Sequence, residues 1–233
     1  KARLDPQRYL INVQDISTEA ALADTCPVIF RHLSETVKIQ RTESTGRSAV
    51  SAARAQKWWL YGSDAKRLFE RALPGTLMPV VARHSPHAQP AMIHLDRRMA
   101  VNDSCIAWPD SDFATFAMLC SSWQHSWLLR WGSTYKEDLR YGPSDVFETL
   151  PVPPRTDDLE AAGRALENAR RRGQEETGRG LTGLYHLAAD PDCHLRSITD
   201  LRESHRAVDE AIARAFETRV LFRYSYEADA ELM

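Results

Sequence analysis

A proline-rich segment, Pro151-Val152-Pro153-Pro154, divides the chain into two parts of different character. Proline fixes φ and lacks a backbone N–H, so this segment is neither a helix interior nor a central strand. The residues after it follow helical spacing, with Leu159 and Leu166 on one face. We therefore predict one domain over residues 1–154 and a helical C-terminal domain over residues 155–233.

The part before the prolines mixes strand-like and helical segments. Strand-forming residues recur at Leu77–Ala82, Ala91–Leu95 and Met99–Val101, and polar loops join them. Asp112 precedes an apolar helical pattern that continues to Gly132. The predicted fold class is α+β: a small mixed or antiparallel sheet with packed helices, followed by the helical C-terminal domain.

Basic residues are concentrated in one segment. Residues 37–98 carry eleven basic and four acidic side chains, a net charge of +7, in a chain whose net charge is −2. The 30 basic residues include only five lysines, and arginine pairs bidentately with phosphate or guanine. The segment predicts a surface that contacts a polyanion. The alternative is a solvated face in a chain that uses arginine in place of lysine throughout.

The chain lacks the motifs of common enzyme classes, so no catalytic residue is predicted. Glycine-rich nucleotide loops, a Gly-x-Ser-x-Gly turn and a His-Glu-x-x-His pair are all absent. His84, His87 and His94 do not have the spacing of a tetrahedral metal site, so no metal is predicted. The four cysteines form no Cys-x-x-Cys pair, and the chain shows no apolar signal segment. We therefore expect reduced thiols and a cytoplasmic location.

Two adjacent tryptophans, Trp58 and Trp59, follow Lys57. Tryptophan rings can stack on nucleic-acid bases, but burial in a core is their commoner environment. We therefore predict that both rings are buried and that Lys57 faces outward.

An ordered series of segments resembles one protein family. In chain order the segments are Arg8-Tyr9-Leu10-Ile11-Asn12, Lys38 with Arg41, Lys57-Trp58-Trp59, Arg83-His84-Ser85, Phe116 to Trp127, Arg140 to Pro153, and Leu181 to Ile212. The series resembles the target recognition domain, and the helical segment after it, of the large restriction–modification enzymes of the MmeI type and related N6-adenine DNA methyltransferases.

The resemblance implies a function for the chain. In that family a catalytic half lies upstream, with a glycine-rich S-adenosylmethionine loop and an Asn-Pro-Pro-Tyr/Phe motif. This chain has neither, and it does not begin with methionine. The resemblance therefore implies the specificity part of an adenine-N6 DNA methyltransferase or restriction–modification enzyme, with double-stranded DNA and the methyltransferase domain of the same polypeptide as partners. No cofactor is expected in this chain, and S-adenosylmethionine is expected in the catalytic half.

Two sets of side chains are predicted to contact the DNA. Basic residues bind phosphates and set affinity and register, and those predicted here are Lys38, Arg41, Lys57, Arg67, Lys136 and Arg140. Residues that flank strand ends and loops contact base edges in the major groove, and those predicted here are Arg83, Ser85, Arg97 and Arg98. The side chains predicted to hold the fold together are Ser121, Ser122, His125, Trp127, Tyr141 and Phe147.

Two other functions are alternatives. The helical tail and the aromatic residues also suit a protein–protein docking module of a larger DNA-modification or defence complex. A metal-dependent nuclease that uses His84 and His87 is the third reading, and it requires activity that depends on a divalent metal. DNA affinity that falls steeply with salt and favours one sequence distinguishes recognition from docking.

Overall fold

The computed structural model describes residues 11–43, 49–61, 77–94, 101–109 and 112–217. These residues fall into two compact units, 11–61 and 77–217. Within them, no helix combines the length and the apolar character that crossing a bilayer requires.

The first unit is helical and encloses two tryptophans. Its helical elements are α1 (Glu19–Thr25), α2 (Pro27–Leu33), a π-helical turn (Ser34–Lys38), α3 (Ile39–Glu43) and α4 (Ala49–Gln56). Thr18 caps α1, because its hydroxyl oxygen accepts a hydrogen bond from the backbone N–H of Ala21. Trp58 and Trp59 are buried in one cluster with Leu22, as predicted from the sequence.

The second unit contains two small antiparallel sheets. Its strands are β1 (Leu77–Ala82), β2 (His84–Ser85), β3 (Ala91–His94), β4 (Cys105–Ala107), β5 (Ser133–Tyr135) and β6 (Asp138–Arg140). The strand orders are β3-β1-β4 and β2-β6-β5. The predicted strands at β1 and β3 are confirmed. Of the third predicted strand, Met99–Val101, the first two residues lie outside the described residues, and Val101 is irregular. The strand that pairs with β1 on this side begins at Cys105.

Arg83 lies between the two sheets, after β1 and before β2. Its backbone N–H donates to the carbonyl of Ser104, and its own carbonyl accepts from the N–H of Tyr141, both at 2.8 Å. The backbone of Arg83 is therefore fixed on both sides, next to β4 and next to β6.

Two helices, α5 (Phe113–Cys120) and α6 (Ser122–Trp131), occupy the region predicted as one helix. The chain turns at Ser121, whose backbone is extended with ψ of 158°. The hydroxyl oxygen of Ser121 accepts a hydrogen bond of 3.2 Å from the N–H of Gln124 and so caps α6. The apolar pattern did not reveal this break, because serine is tolerated inside helices as well as at their caps.

In the described residues up to 217, three helices follow the proline segment, in the region predicted to be helical: α7 (Asp157–Thr177), α8 (Leu181–Ala189) and α9 (Arg196–Ala215). Thr156 caps α7, and Gly178 ends it in the left-handed conformation with φ of +65°. Helix α7 packs against α5 and α9, and Gly163 lies directly against the backbone carbonyl of Phe113.

The segment Pro151–Pro154 does not separate two hydrophobic cores. Leu166, which follows it, lies in the same buried cluster as Val81, which precedes it. The second unit is thus one core of small sheets and helices, and the α+β fold class is confirmed. The division into domains 1–154 and 155–233 stays a prediction.

Candidate nucleic-acid interface

The sheet β2-β6-β5 turns one face to solvent. His84 of β2 lies opposite Arg140 of β6, and on the other side of β6, Tyr135 of β5 lies opposite Asp138. Opposed residues share a face, as do residues two apart on one strand. We call this the outer face, and it carries His84, Ser133, Tyr135, Asp138 and Arg140. The opposite face carries Leu139, which packs against the hydrophobic core.

An aromatic pair and a lysine lie at the hairpin end of the outer face. The ring centroids of His84 and Tyr135 are 5.1 Å apart, and Tyr135 is 59% exposed. Lys136 follows it in the two-residue connection between β5 and β6, and its Nζ lies 6.0 Å from the Tyr135 ring centroid. Lys136 has φ of +57°, which suits the tight turn of a short hairpin. The exposed Tyr135 ring and the Lys136 ammonium group therefore lie side by side at the end of the hairpin.

Arg83 and Ser85 are both predicted to contact bases. Arg83 directly precedes β2, whereas Ser85 is the second residue of β2 and lies opposite Leu139, on the other face of the sheet from His84. The Nε of Arg83 donates to the carbonyl of Asp103 at 2.6 Å. The hydroxyl oxygen of Ser85 accepts from the N–H of Ala88 at 3.1 Å. A hydroxyl that accepts a hydrogen bond keeps its own proton for donation, so Ser85 can donate to a base acceptor.

Four residues predicted to contact DNA therefore lie in or directly next to one small sheet: Arg83, Ser85, Lys136 and Arg140. Along the chain they come from two separate segments. The hairpin itself has two basic and two acidic side chains, since Glu137 and Asp138 separate the two basic ones. This balance favours directional hydrogen bonds over a general attraction to phosphates.

In the first unit, Lys38 pairs with a carboxylate beside the tryptophans. Its Nζ lies 2.8 Å from Oε1 of Glu19 and 5.0 Å from the ring centroid of Trp58. Hydrogen bonds from Lys38 and from the Trp58 indole lower the pKa of Glu19. Lys38 thus has a structural partner, and its phosphate contact stays a prediction.

Arg41 also supports the tryptophan core. Its Nη1 donates to the backbone carbonyls of Trp58, at 2.8 Å, and of Leu60, at 2.5 Å. Burial and the positive charge of Arg54 lower the pKa of Arg41. Lys57 is exposed, as predicted. The phosphate contacts predicted for Arg41 and Lys57 stay predictions.

A family model described as MmeI, target recognition domain, matches residues 4–154, well over half of the chain. The chain belongs to this family. Target recognition domains supply the DNA sequence specificity of restriction–modification enzymes. The resemblance and the function class predicted from the sequence are therefore confirmed.

The MmeI fold extends beyond the matched residues. The chain is similar to the structure of the type IIL restriction–modification enzyme MmeI in complex with DNA, with a TM-score of 0.61 and 17% identity. The similarity covers 91% of this chain and 28% of the MmeI chain, so this chain spans just over a quarter of the length of MmeI. No curated protein sequence matches the chain significantly.

The side chains predicted to hold this target recognition domain together have structural contacts. Tyr141 is buried, with its ring edge-on to Trp108 at 5.6 Å. The indole Nε1 of Trp127 donates to Oγ1 of Thr149 at 3.0 Å. Ser121 and Ser122 are buried at the start of α6, and His125 and Phe147 are partly buried.

The histidines considered as metal ligands have different surroundings. His84 lies on the outer face, whereas the ring of His87 packs 5.0 Å from that of His186. Burial, followed by the charges of His186 and His125, lowers the pKa of His87. Within the described residues, no three His, Cys, Asp or Glu side chains are grouped so as to hold a metal.

Sequence reasoning missed one residue of this target recognition domain's outer face and misjudged another. Tyr135 was not singled out, and His84 was considered as a metal ligand or as a polar surface residue, but not as part of an aromatic pair. Their proximity depends on the register of β2 against β6, for which strands of two or three residues give no periodic signal. Arg67, Arg97 and Arg98 lie outside the described residues, so their contacts also stay predictions.

Proposed function

We propose that this domain reads duplex DNA with the outer face of the β2-β6-β5 sheet, together with the edge strand β2 and the residue before it. Arg83 and Ser85 contact base edges in the major groove, and Lys136 and Arg140 contact the flanking phosphates. The observation that carries the proposal is the placement of these four residues in or directly next to one small sheet that carries an exposed aromatic pair.

The hairpin β5–β6 has a form that suits the proposed contact. The major groove admits a two-stranded ribbon, and this hairpin places Tyr135 and Lys136 at its exposed end. The acidic side chains Glu137 and Asp138 add acceptors for the amino group of cytosine. Both donors and acceptors are thus available for reading base edges.

We also propose that the parent polypeptide is an adenine-N6 DNA methyltransferase or restriction–modification enzyme. Family membership and the 28% coverage of the MmeI chain support a larger parent. S-adenosylmethionine binding and methyl transfer belong to its methyltransferase domain, which is the intramolecular partner of this domain. The four cysteines are free thiols, which supports a location in the reducing cytoplasm.

Selection of bound duplexes from a randomised DNA pool, at two salt concentrations, tests the DNA-reading proposal. We expect the wild-type chain to enrich a motif of several base pairs. Arg83→Ala relaxes the preference at one base pair, by about 1–3 kcal/mol. Lys136→Ala weakens binding to all duplexes alike and lowers the salt slope by about 1. The control Arg172→Ala, on the exposed side of α7, changes neither the base-pair preference nor the salt slope.

Two outcomes of the same selection experiment would contradict the proposal. Salt-sensitive binding without a motif would leave only a nonspecific DNA-binding surface. Absence of binding at both salt concentrations would favour the docking module. Leu129 and Trp131, both exposed on α6, are the observation in favour of that second candidate, because tryptophan is enriched at protein interfaces.

A further inference from the structure

A buried arginine of the helical region holds the loop that leads out of β2. Arg170 of α7 is 1% exposed. Its Nη1 donates to the carbonyl of Pro90, and its Nη2 donates to Oε1 of Gln89, both at 2.7 Å. Because Gln89 is itself buried, the far end of the loop 86–90 is tied into the core.

Arg170 is in turn fixed by neighbours on three other helices. Its guanidinium carbon lies 5.0 Å from the ring centroid of Phe116 and 5.1 Å from that of Tyr185. Its Nε donates to the hydroxyl of Tyr185 at 2.7 Å, and that hydroxyl is 2.5 Å from Nε2 of His205. Residues of α5, α8 and α9 thus set the orientation of the guanidinium.

The loop 86–90 has a conformation that needs such an anchor. Ala88 has φ of +47°, a left-handed conformation that is unfavourable for a residue with a Cβ. Its N–H is held by the hydroxyl of Ser85 at 3.1 Å, and the next residue is held by Arg170. One end of the loop is thereby attached to the DNA-reading sheet and the other to α7.

We propose that Arg170 is a positioning residue for DNA sequence recognition. It sets the path of the loop 86–90, and through it the placement of Ser85 and His84, without contacting DNA. The inference rests on the proposed function of the outer face. Only a planar guanidinium can make these diverging hydrogen bonds at once, since the lysine ammonium acts as a point charge on a flexible stem.

The test compares Arg170→Lys and Gln89→Ala with a matched control, Arg171→Lys. Arg171 is the next residue of α7, and it is exposed and paired with Glu167 at 2.9 Å. For each protein we measure the Kd for the selected duplex, the Kd for a scrambled duplex, both salt slopes and the thermal unfolding midpoint. Arg170→Lys and Gln89→Ala are expected to lower the specific-to-scrambled affinity ratio about tenfold. The salt slopes stay at the wild-type value, because no phosphate contact is lost.

Several results would overturn the inference. A folded Arg170→Lys or Gln89→Ala protein with the wild-type affinity ratio contradicts it, and so does an equal loss of affinity for both duplexes. If Arg170→Lys does not fold, Gln89→Ala decides alone, because it removes a single acceptor from the network. A changed specific-to-scrambled affinity ratio in the Arg171→Lys protein also contradicts the inference. A wild-type chain that selects no motif overturns the proposed function itself, and this is seen before any variant is made.

Discussion

The carboxylate of Asp209 in α9 accepts a hydrogen bond of 2.8 Å from the backbone N–H of Ser122, the first residue of α6. Both residues are buried, and 87 positions separate them along the chain. A carboxylate at this position satisfies one of the unpaired N–H groups of a helix N-terminus and interacts favourably with the helix dipole. Helix α9 therefore supplies a hydrogen-bond acceptor to the N-terminus of α6, which lies much earlier in the sequence.

Asp209→Ala is expected to lower the free energy of unfolding by about 1–3 kcal/mol, because the buried N–H of Ser122 loses its acceptor. Asp209→Asn keeps a carbonyl oxygen and costs less. Denaturant titration followed by tryptophan fluorescence measures both. Asp200→Ala, at a more exposed position of α9, should stay within about 0.5 kcal/mol of wild type.

Gly163→Ala tests the close contact between α7 and α5. A Cβ at Gly163 overlaps the carbonyl oxygen of Phe113, so the helices must move apart at a cost of about 1–3 kcal/mol. Gly183→Ala in α8 meets only the side chain of Arg179, at 3.4 Å, and gains helix propensity. Thermal unfolding should show a lower midpoint for Gly163→Ala alone. Equal unfolding midpoints for the two variants would mean that α5 and α7 lie further apart than the structure places them.

Arg41→Met separates a structural role from a phosphate contact. The carbonyls of Trp58 and Leu60 lose their donor, so the first unit should lose about 1–3 kcal/mol of unfolding free energy. Lys57→Met, at an exposed site, should leave stability unchanged. Chemical denaturation of both variants measures this difference. A stable Arg41→Met protein with a lower salt slope of DNA binding would assign Arg41 to the phosphates instead.

The stability of the domain is expected to fall as the pH drops below about 6.5, the ordinary pKa of histidine. Burial, and then the charge of Arg170, hold the pKa of His205 well below 6.5. The unfolded chain therefore binds a proton that the folded chain does not, which costs up to about 1.4 kcal/mol per pH unit for one histidine. His87, whose pKa is also lowered by burial, acts in the same direction.

Denaturant titrations between about pH 7 and pH 5 measure this dependence. The variant His205→Gln lacks the buried imidazole, so its free energy of unfolding should depend less steeply on pH. This holds whatever the substitution does to stability at neutral pH. An unchanged slope would show that His205 takes up its proton equally in the folded and the unfolded protein. His194→Gln, outside the core, serves as the control.

Local signals in the sequence were sufficient for several elements. Apolar β-forming residues gave β1 at its observed bounds, and the apolar side chains Ile198, Leu201 and Val208 of α9 are all buried. These signals depend on residues within one strand or a few helical turns. The DNA contacts of Arg83, Ser85, Lys136 and Arg140 were inferred from residue type and from position beside strand ends and loops, and they stay predictions.

Features that depend on distant residues were not predictable. Arg170 stands between Ala169 and two further arginines, Arg171 and Arg172, and nothing local shows which guanidinium is buried. The break at Ser121 depends partly on Asp209, which only the folded chain brings close. The core that residues on both sides of the proline segment share, with Val81 and Leu166 in one cluster, was not predictable either, because composition does not show which elements pack together.

The short strands of the outer face restrict how such a domain can acquire a new DNA preference. In β6, Asp138 and Arg140 point outward, while Leu139 between them packs on the core. Inserting or deleting one residue would exchange the two faces, exposing a leucine and burying a charge. If the sheet reads DNA as proposed, we therefore expect its specificity to diverge by exchange of side chains at constant strand length, with changes of length confined to the turns.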